Sequence, residues 1–596
     1  MRKLILLPVI CILFSSCNGN KHTDTESKNT SDINLMFDKY KNNFIEALWE
    51  VYPGWASSQG YHKYDSVLVI PDDAARAKEL LFVKANLDSL QTFDLTNLSD
   101  NNKTDYCMIE NQLKSTEWVI NEFKSYEWNP SEYNVSGAFA EILNGSYDSL
   151  DVRLRNFNLR MANVSAYYEA AKKYIKNPTL EHTQLAIDQN TGGISVFEND
   201  FHDALNKVHF GAHEQQMMEA NAREAVKAIK EYVEWLKKFE NETPRSFRLG
   251  KELYAKKFEY DIQSGYTVDQ IYQKALTHKK ELHEQMFKIA DNLWTKYVDN
   301  PLTKGENGRV QKPKDSLQLI KMVIDKISEK HVQPDSFQTA IEQQLPILID
   351  FIKKKDLIYI DPSKPLVVRK EPDYMAGVAG ASISAPGPYD KNGNTYYNVG
   401  SLSGWDKDKA ESYLREYNHY ILQILNIHEA IPGHYTQLVY SNQSPSLIKA
   451  LFGNNTMIEG WAVYTERMML ESGYDDSPEM WLMYYKWNLR STCNTILDYS
   501  VHTKNMSKAE AMNLLVNEAF QQKTEAEGKW KRVSVTQVQL CCYFTGYTEI
   551  YDFREELKKV EGDKFNLKQF HEKFLSYGSA PVKYIKELMQ TEAKGL

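Results

Sequence analysis

Apolar residues recur every three to four positions through most of the chain. "VSAYYEAAKKYIKN" (164–177), "EQQMMEANAREAVKAIKEYVEWLKKF" (214–239) and "DQIYQKALTHKKELHEQMFKIADNLWTKYV" (269–298) have this period, with charges between. Such spacing puts one apolar stripe on a helix. Thr267 with Gln270 forms a capping box that opens the last of the three. Strand signal is confined to one region. "PLVVR" (365–369) and "TYYNVG" (395–400) are β-prone, and Asn392-Gly393 is a hairpin-type turn before the second. The pattern predicts a mainly α fold, a large helical body with a small β-sheet just before the helix that carries His428. "DNPLTKGENGRVQKPKDS" (299–316) is rich in Gly, Pro and charge. It divides an N-terminal helical region (33–300) from a C-terminal region (317–596). No internal repeat is visible.

The first 32 residues break the pattern. "MRKLILLPVICILFSSC" has a basic start, a short apolar run and small residues before Cys17, the features of a signal peptide over 1–17. Leu13 to Cys17 resembles a lipobox, which makes Cys17 the lipidated first residue of a protein exported to the cell envelope. An ordinary signal peptide is the other reading. Residues 18–32 are polar throughout and read as a disordered tether to the membrane.

Composition narrows the partners. The 596 residues carry a net charge of −9 and no long basic run, which argues against nucleic acid. Tyrosines and tryptophans number 37 and 11; they suit peptide or sugar clefts and ordinary cores equally well. Beyond Cys11 and Cys17 lie only Cys107, Cys493, Cys541 and Cys542, too scattered for a disulfide framework and expected as buried thiols.

The chemistry gathers at "HEAIPGHYTQ" (428–437). In "ESYLREYNHYILQILNI", Leu414, Tyr417, Ile421 and Ile424 step by three or four toward His428, and Ile421 and Leu425 lead to Glu429. A buried imidazole beside a buried carboxylate needs a strong partner, and a metal is the obvious one. His434 stands six residues after His428, roughly 240° around a continuous helix. Pro432 and Gly433 can break the helix and return His434 to its side; two buried histidines at a helix end are the alternative. Glu459 is the candidate third ligand, with Glu466 one heptad on. Two His and one Glu with an open position is a catalytic zinc arrangement, although Thr456-x-x-Glu459 also spells a capping box. Arg490, Asn494, Asp498 and His502 step by four, so Asp498 can orient the His502 ring; a solvated face of ion pairs fits the same spacing. Gln539, Tyr543 and Tyr547 also step by four.

Together, "HEAIPGHYTQ", "EGWAVYTE", "RSTCNTILDYSVH" and "QLCCYFTGYTEI" resemble the bacterial domain-of-unknown-function family 885. Members are commonly exported lipoproteins, grouped by resemblance with the gluzincin metallopeptidases. "YPGWASSQGYHKYDS" near residue 52 and "FRLGKELYAKKF" (247–258) look like its N-terminal signatures. The resemblance implies a zincin-like site with one Zn2+, bound by His428, His434 and Glu459, with Glu429 as general base. It places Arg490, Asp498 and His502 on the family's R…D…H helix. Where the family tends to have Pro-Gly-Gln, this chain has Gln537-Val538-Gln539.

The expected activity is zinc-assisted hydrolysis of a peptide substrate. Glu429 would move the proton, and His502 or Tyr543 would donate to the oxyanion. Tyr396 to Val399 would offer an edge strand to the peptide. The rivals are a non-enzymatic helical lipoprotein that binds glycans or nutrients, and a zinc hydrolase of non-peptide amides.

Overall fold

The computed structural model describes residues 24–239, 242–299, 310–364, 366–371, 381–390 and 393–595. The three periodic segments form helices Val164–Tyr174, Ala212–Lys237 and Val268–Tyr297. Thr267 and Gln270 close the expected capping box. The first helix runs Asp24–Val51, so it reaches back into the stretch read as a tether. Extending a helix costs far less than nucleating one. Cys17 and the leader lie outside the described residues.

The chain does not divide near 300. Ile271, Leu282 and Met286 before that segment share one core with Leu319, Ile320 and Val323 after it, and the same core extends from Phe37 to Ile585. The separate core is internal to the N-terminal half: Tyr133 to Leu236, built on Phe139, Phe157, Phe197, Tyr168 and Tyr232. Residues 300–309 lie outside the described residues, but apolar faces on both sides of them are buried together.

The sheet has three strands in the order β1-β3-β2: β1 Leu366–Lys370, β2 Ala381–Ser384 and β3 Thr395–Val399. β1 pairs parallel to β3 and β2 antiparallel to it. The two β-prone runs pair parallel with each other, and "ASIS" supplies the antiparallel neighbour of the second, a strand that polarity concealed. Tyr396 to Val399 is the central strand, paired on both sides, so it cannot receive a peptide along an edge. Asn392 lies outside the described residues. The inner face of β3 meets the site helix: Tyr397 Oη donates to Asn426 Oδ1 at 2.9 Å.

The helix read as one stripe into His428 is two. Lys407–Glu416 ends, and His419–Glu429 restarts on the Asn418 side chain, whose Oδ1 accepts from the amides of Tyr420 and Ile421. The new axis still carries Ile421, Ile424, Leu425 and His428 inward. Cys107, Cys493, Cys541 and Cys542 are free thiols, and all but Cys107 are buried.

Candidate metal centre

The His419–Glu429 helix stops at Glu429, and a second helix begins at His434 and runs to Asn442. The four residues between make the widened turn. Gly433 is required by close approach: a Cβ there would lie 1.9 Å from the His428 carbonyl oxygen and 2.3 Å from that of Ile427. Its amide donates to the Ile427 carbonyl at 2.9 Å, which folds the turn back on the helix it leaves. The two imidazoles thus stand 4.8 Å apart, nearly perpendicular.

Glu459 arrives on helix Asn455–Glu471. Asn454 caps that helix, its Oδ1 accepting from the Met457 amide at 2.8 Å, so the capping box on Glu459 is not formed. Each residue of "EGW" has a visible task. Glu459 Oε2 lies 3.3 Å from His434 Nε2 and 3.7 Å from His428 Nε2. Gly460 lets this helix touch helix Cys541–Glu561 backbone to backbone, since its Cβ would sit 2.3 Å from the Gly546 carbonyl carbon. Trp461 Nε1 donates to the Pro432 carbonyl at 2.9 Å and holds the turn.

The donor atoms of His428, His434 and Glu459 all fall within 4.8 Å of one another. Glu459 Oε2 and His434 Nδ1 are buried without a hydrogen-bond partner. A buried carboxylate oxygen facing two imidazole nitrogens, with no donor given to it, fits a cation. The remaining groups favour the same sign. His428 Nδ1 bonds Glu466 Oε1 at 2.7 Å, and that oxygen also accepts from Trp487 Nε1 at 2.9 Å. A carboxylate behind a ligating imidazole fixes its tautomer and raises its basicity. Burial opposes a charge on His428, but Glu459 and Glu466 outweigh it and push its pKa up to about 10. Burial raises the Glu429 carboxyl against the pull of both histidines, and no hydrogen bond ties its carboxylate among the described residues.

Tyr543 faces the same centre, its ring 6.4 Å from that of His428. Its hydroxyl accepts from Arg532 Nη2 at 2.9 Å, and the same nitrogen donates to Gln539 Oε1 at 2.7 Å. Burial and the nearby Glu459 carboxylate push the phenol up to about 12, so it keeps its proton at neutral pH. Arg532 and Trp487 were not legible in the sequence; no spacing set them apart from other helix residues. A cavity of about 310 Å³ reaches Gln539 and Asn455, the latter one helical turn before Glu459. A larger one, about 750 Å³, is bounded by Tyr266, His278, Arg467 and Tyr551, and none of the three convergent residues lines it.

The Arg490 to His502 stripe lies on helix Pro478–Thr503, and its Asn494, Asp498 and His502 are buried, not solvated. Arg490 binds Glu525 at 2.6 Å and stacks over Trp487. Asp498 does not orient His502. Its oxygens take the Tyr254 hydroxyl (2.8 Å) and the amides of Val538 (3.0 Å) and Leu540 (3.2 Å). His502 Nε2 bonds the carbonyls of Val533 (2.9 Å) and Thr536 (3.3 Å) instead. Backbone groups of a turn outcompete the side chain one helical turn away.

The profile of a bacterial protein family of unknown function, DUF885, matches residues 53–589. A protein from Shewanella oneidensis put forward as a lipoprotein of unknown function has a similar structure. It shares 53% identity and a TM-score of 0.82, over 93% of this chain and 99% of its own. A second protein put forward as a lipoprotein, from Colwellia psychrerythraea, shares the fold at 15% identity and a TM-score of 0.73, over 96% of this chain and 100% of its own. No curated protein matches the chain.

Proposed function

The chain belongs to the DUF885 family of bacterial proteins of unknown function, and on that footing we propose that it is a zinc-dependent hydrolase of peptide bonds, held at the cell envelope by a lipid on Cys17. The observation that carries this reading is the buried convergence of His428 Nε2, His434 Nε2 and Glu459 Oε2 beside a carboxylate, Glu429, with no fixed partner among the described residues. The donor order of two histidines and a glutamate on a later helix is the basis for grouping it with the gluzincins. When bound there, zinc supplies Lewis acidity, polarising a carbonyl and lowering the pKa of a coordinated water to about 7.

Glu429 is the proton carrier. Burial raises its carboxyl toward the working range, which suits a group that takes a proton from water and returns it to the leaving nitrogen. Tyr543 is the oxyanion donor: Arg532 occupies its lone pair and leaves the O–H free to point outward. Glu466 holds His428 in the tautomer that presents Nε2. The envelope location is supported by the two lipoprotein-like relatives. Among the described residues no helix is long and apolar enough to cross a membrane.

Elemental analysis of protein purified without metal-affinity steps tests the reading. About one zinc per chain and hydrolysis of unblocked or internal peptide bonds are expected, and His434→Ala should lose the metal. Metal-free protein that still cleaves peptides, or His434→Ala with full occupancy, would overturn it.

A further inference from the structure

Residues 536–540 link helix Lys523–Val535 to helix Cys541–Glu561. They carry Gln539 and lead straight into Tyr543. Val538, in this turn, has φ +70°. A β-branched residue in the left-handed region is a genuine outlier, held only where its surroundings over-determine it. Here they do. Asp498 and Val538 are fully buried, and Asp498 accepts the amides on Val538 and Leu540 together with the Tyr254 hydroxyl. The carbonyls on the other side are taken by two histidines. His502 Nε2 serves Val533 and Thr536, and His182 Nε2 serves Val535 at 3.1 Å. A carbonyl can only accept, so both rings carry their proton on Nε2. For His182 the Thr179 hydroxyl at Nδ1, 2.6 Å away, agrees.

The "FRLGKELYAKKF" segment braces this from behind. Tyr254 belongs to it, Gly250 donates to the His502 carbonyl at 3.0 Å, and Arg248 binds the Val501 and Met506 carbonyls. Nothing in the metal centre itself needs these contacts. Tyr254 reaches the turn through Asp498, Gly250 and Arg248 hold the end of the Pro478–Thr503 helix that carries Asp498 and His502, and the turn leads into Tyr543.

We infer that Asp498 is a positioning residue that holds residues 536–540 in a left-handed turn at Val538, and so sets Tyr543 at the metal centre and Gln539 against Arg532. Asp498 does its work on the backbone, offsetting the conformation a valine disfavours. A glycine at 538 adopts that conformation freely, so the dependence on Asp498 should shrink with it. The inference rests on the proposed hydrolase reading only for its kinetic consequence; the structural consequence stands apart.

The test is a two-by-two set on the full-length protein: wild type, Asp498→Asn, Val538→Gly and the double variant. Two measurements are made, hydrogen exchange of peptides spanning 533–545 and kcat and KM on a peptide substrate. In the valine background Asp498→Asn should speed exchange at 536–540 by 10-fold or more. It should lower kcat about 10-fold while zinc content and exchange at 419–442 stay unchanged. In the glycine background the same change should cost less than about 3-fold in each. If Asp498→Asn does not fold, Tyr254→Phe removes one of the three hydrogen bonds and should speed exchange at 536–540 by about 3-fold. Unaltered exchange there in whichever of the two variants folds would overturn the inference. So would loosening spread equally over the protein, or equal costs in the two backgrounds. Should wild-type protein cleave no peptide, the hydrolase reading fails, and the exchange results alone decide for or against Asp498.

Discussion

Glu429 and Glu459 face the same two imidazoles, yet their surroundings assign them different tasks. The histidines hold the Glu459 carboxyl well below its usual range against the cost of its burial, as a permanent anion suited to a cation. Burial moves Glu429 the other way, as a group that can take and release a proton. Glu429→Gln should therefore keep zinc and lose roughly 10²–10⁴-fold in turnover. Glu459→Ala should lose zinc first, and activity as a consequence. Since Asn454 caps the helix, no capping loss accompanies it. Zinc content and turnover measured on both variants check the pair; undiminished turnover in Glu429→Gln would remove the base from the mechanism.

Helix ends and crossings decide whether those residues meet, and here the sequence was unevenly legible. The break after Glu429 could be read because Pro432 and Gly433 declare themselves by backbone chemistry. A special role for His428 and Glu429 could be suspected because two polar residues continued an apolar stripe. The Asp498–His502 pair was misread: spacing on one helix says who shares a face, not which loop amides cover it. Arg532 was invisible for the same reason, since its partners come from a different element. The glycines give the check at this scale. Gly433→Ala should force the turn apart and weaken zinc binding at least 10-fold, because its Cβ meets backbone oxygen that cannot move aside. Gly460→Ala should lower stability by about 1–3 kcal/mol, the usual cost of overpacking, and separate Glu459 from Tyr543. Gly528, exposed on its helix with nothing within 4 Å of its Cβ position, is the control. Gly528→Ala should raise stability by about 0.5–1 kcal/mol. Chemical denaturation and zinc titration of the three variants would expose a wrong assignment if Gly433→Ala bound zinc normally.

For the whole molecule, the interior holds neutral histidines whose cost appears only in acid. His571 gives Nδ1–H to the Leu357 carbonyl at 2.8 Å and accepts the Tyr464 hydroxyl on Nε2 at 2.8 Å. His182 shows the mirror pattern, donating from Nε2 and accepting on Nδ1. In each ring the one acceptor nitrogen is already occupied by a hydroxyl hydrogen, so a second proton has no room. Burial accordingly lowers both to about 4, against an ordinary value near 6.5. The unfolded chain then binds more protons than the folded one below that ordinary value, so stability rises with pH across the window. The contribution is complete above about 6.5 and is lost as pH falls toward 4, on the order of 3 kcal/mol for each histidine. Against a total of about 5–15 kcal/mol, two such groups set much of the acid limit. His571→Gln retains a donor and an acceptor but cannot titrate. It should be less stable than wild type at pH 7.5, with the gap narrowing toward pH 5 and one fewer proton taken up on unfolding. Parallel curves of unfolding free energy against pH for the two proteins would show that His571 is not neutral in the fold.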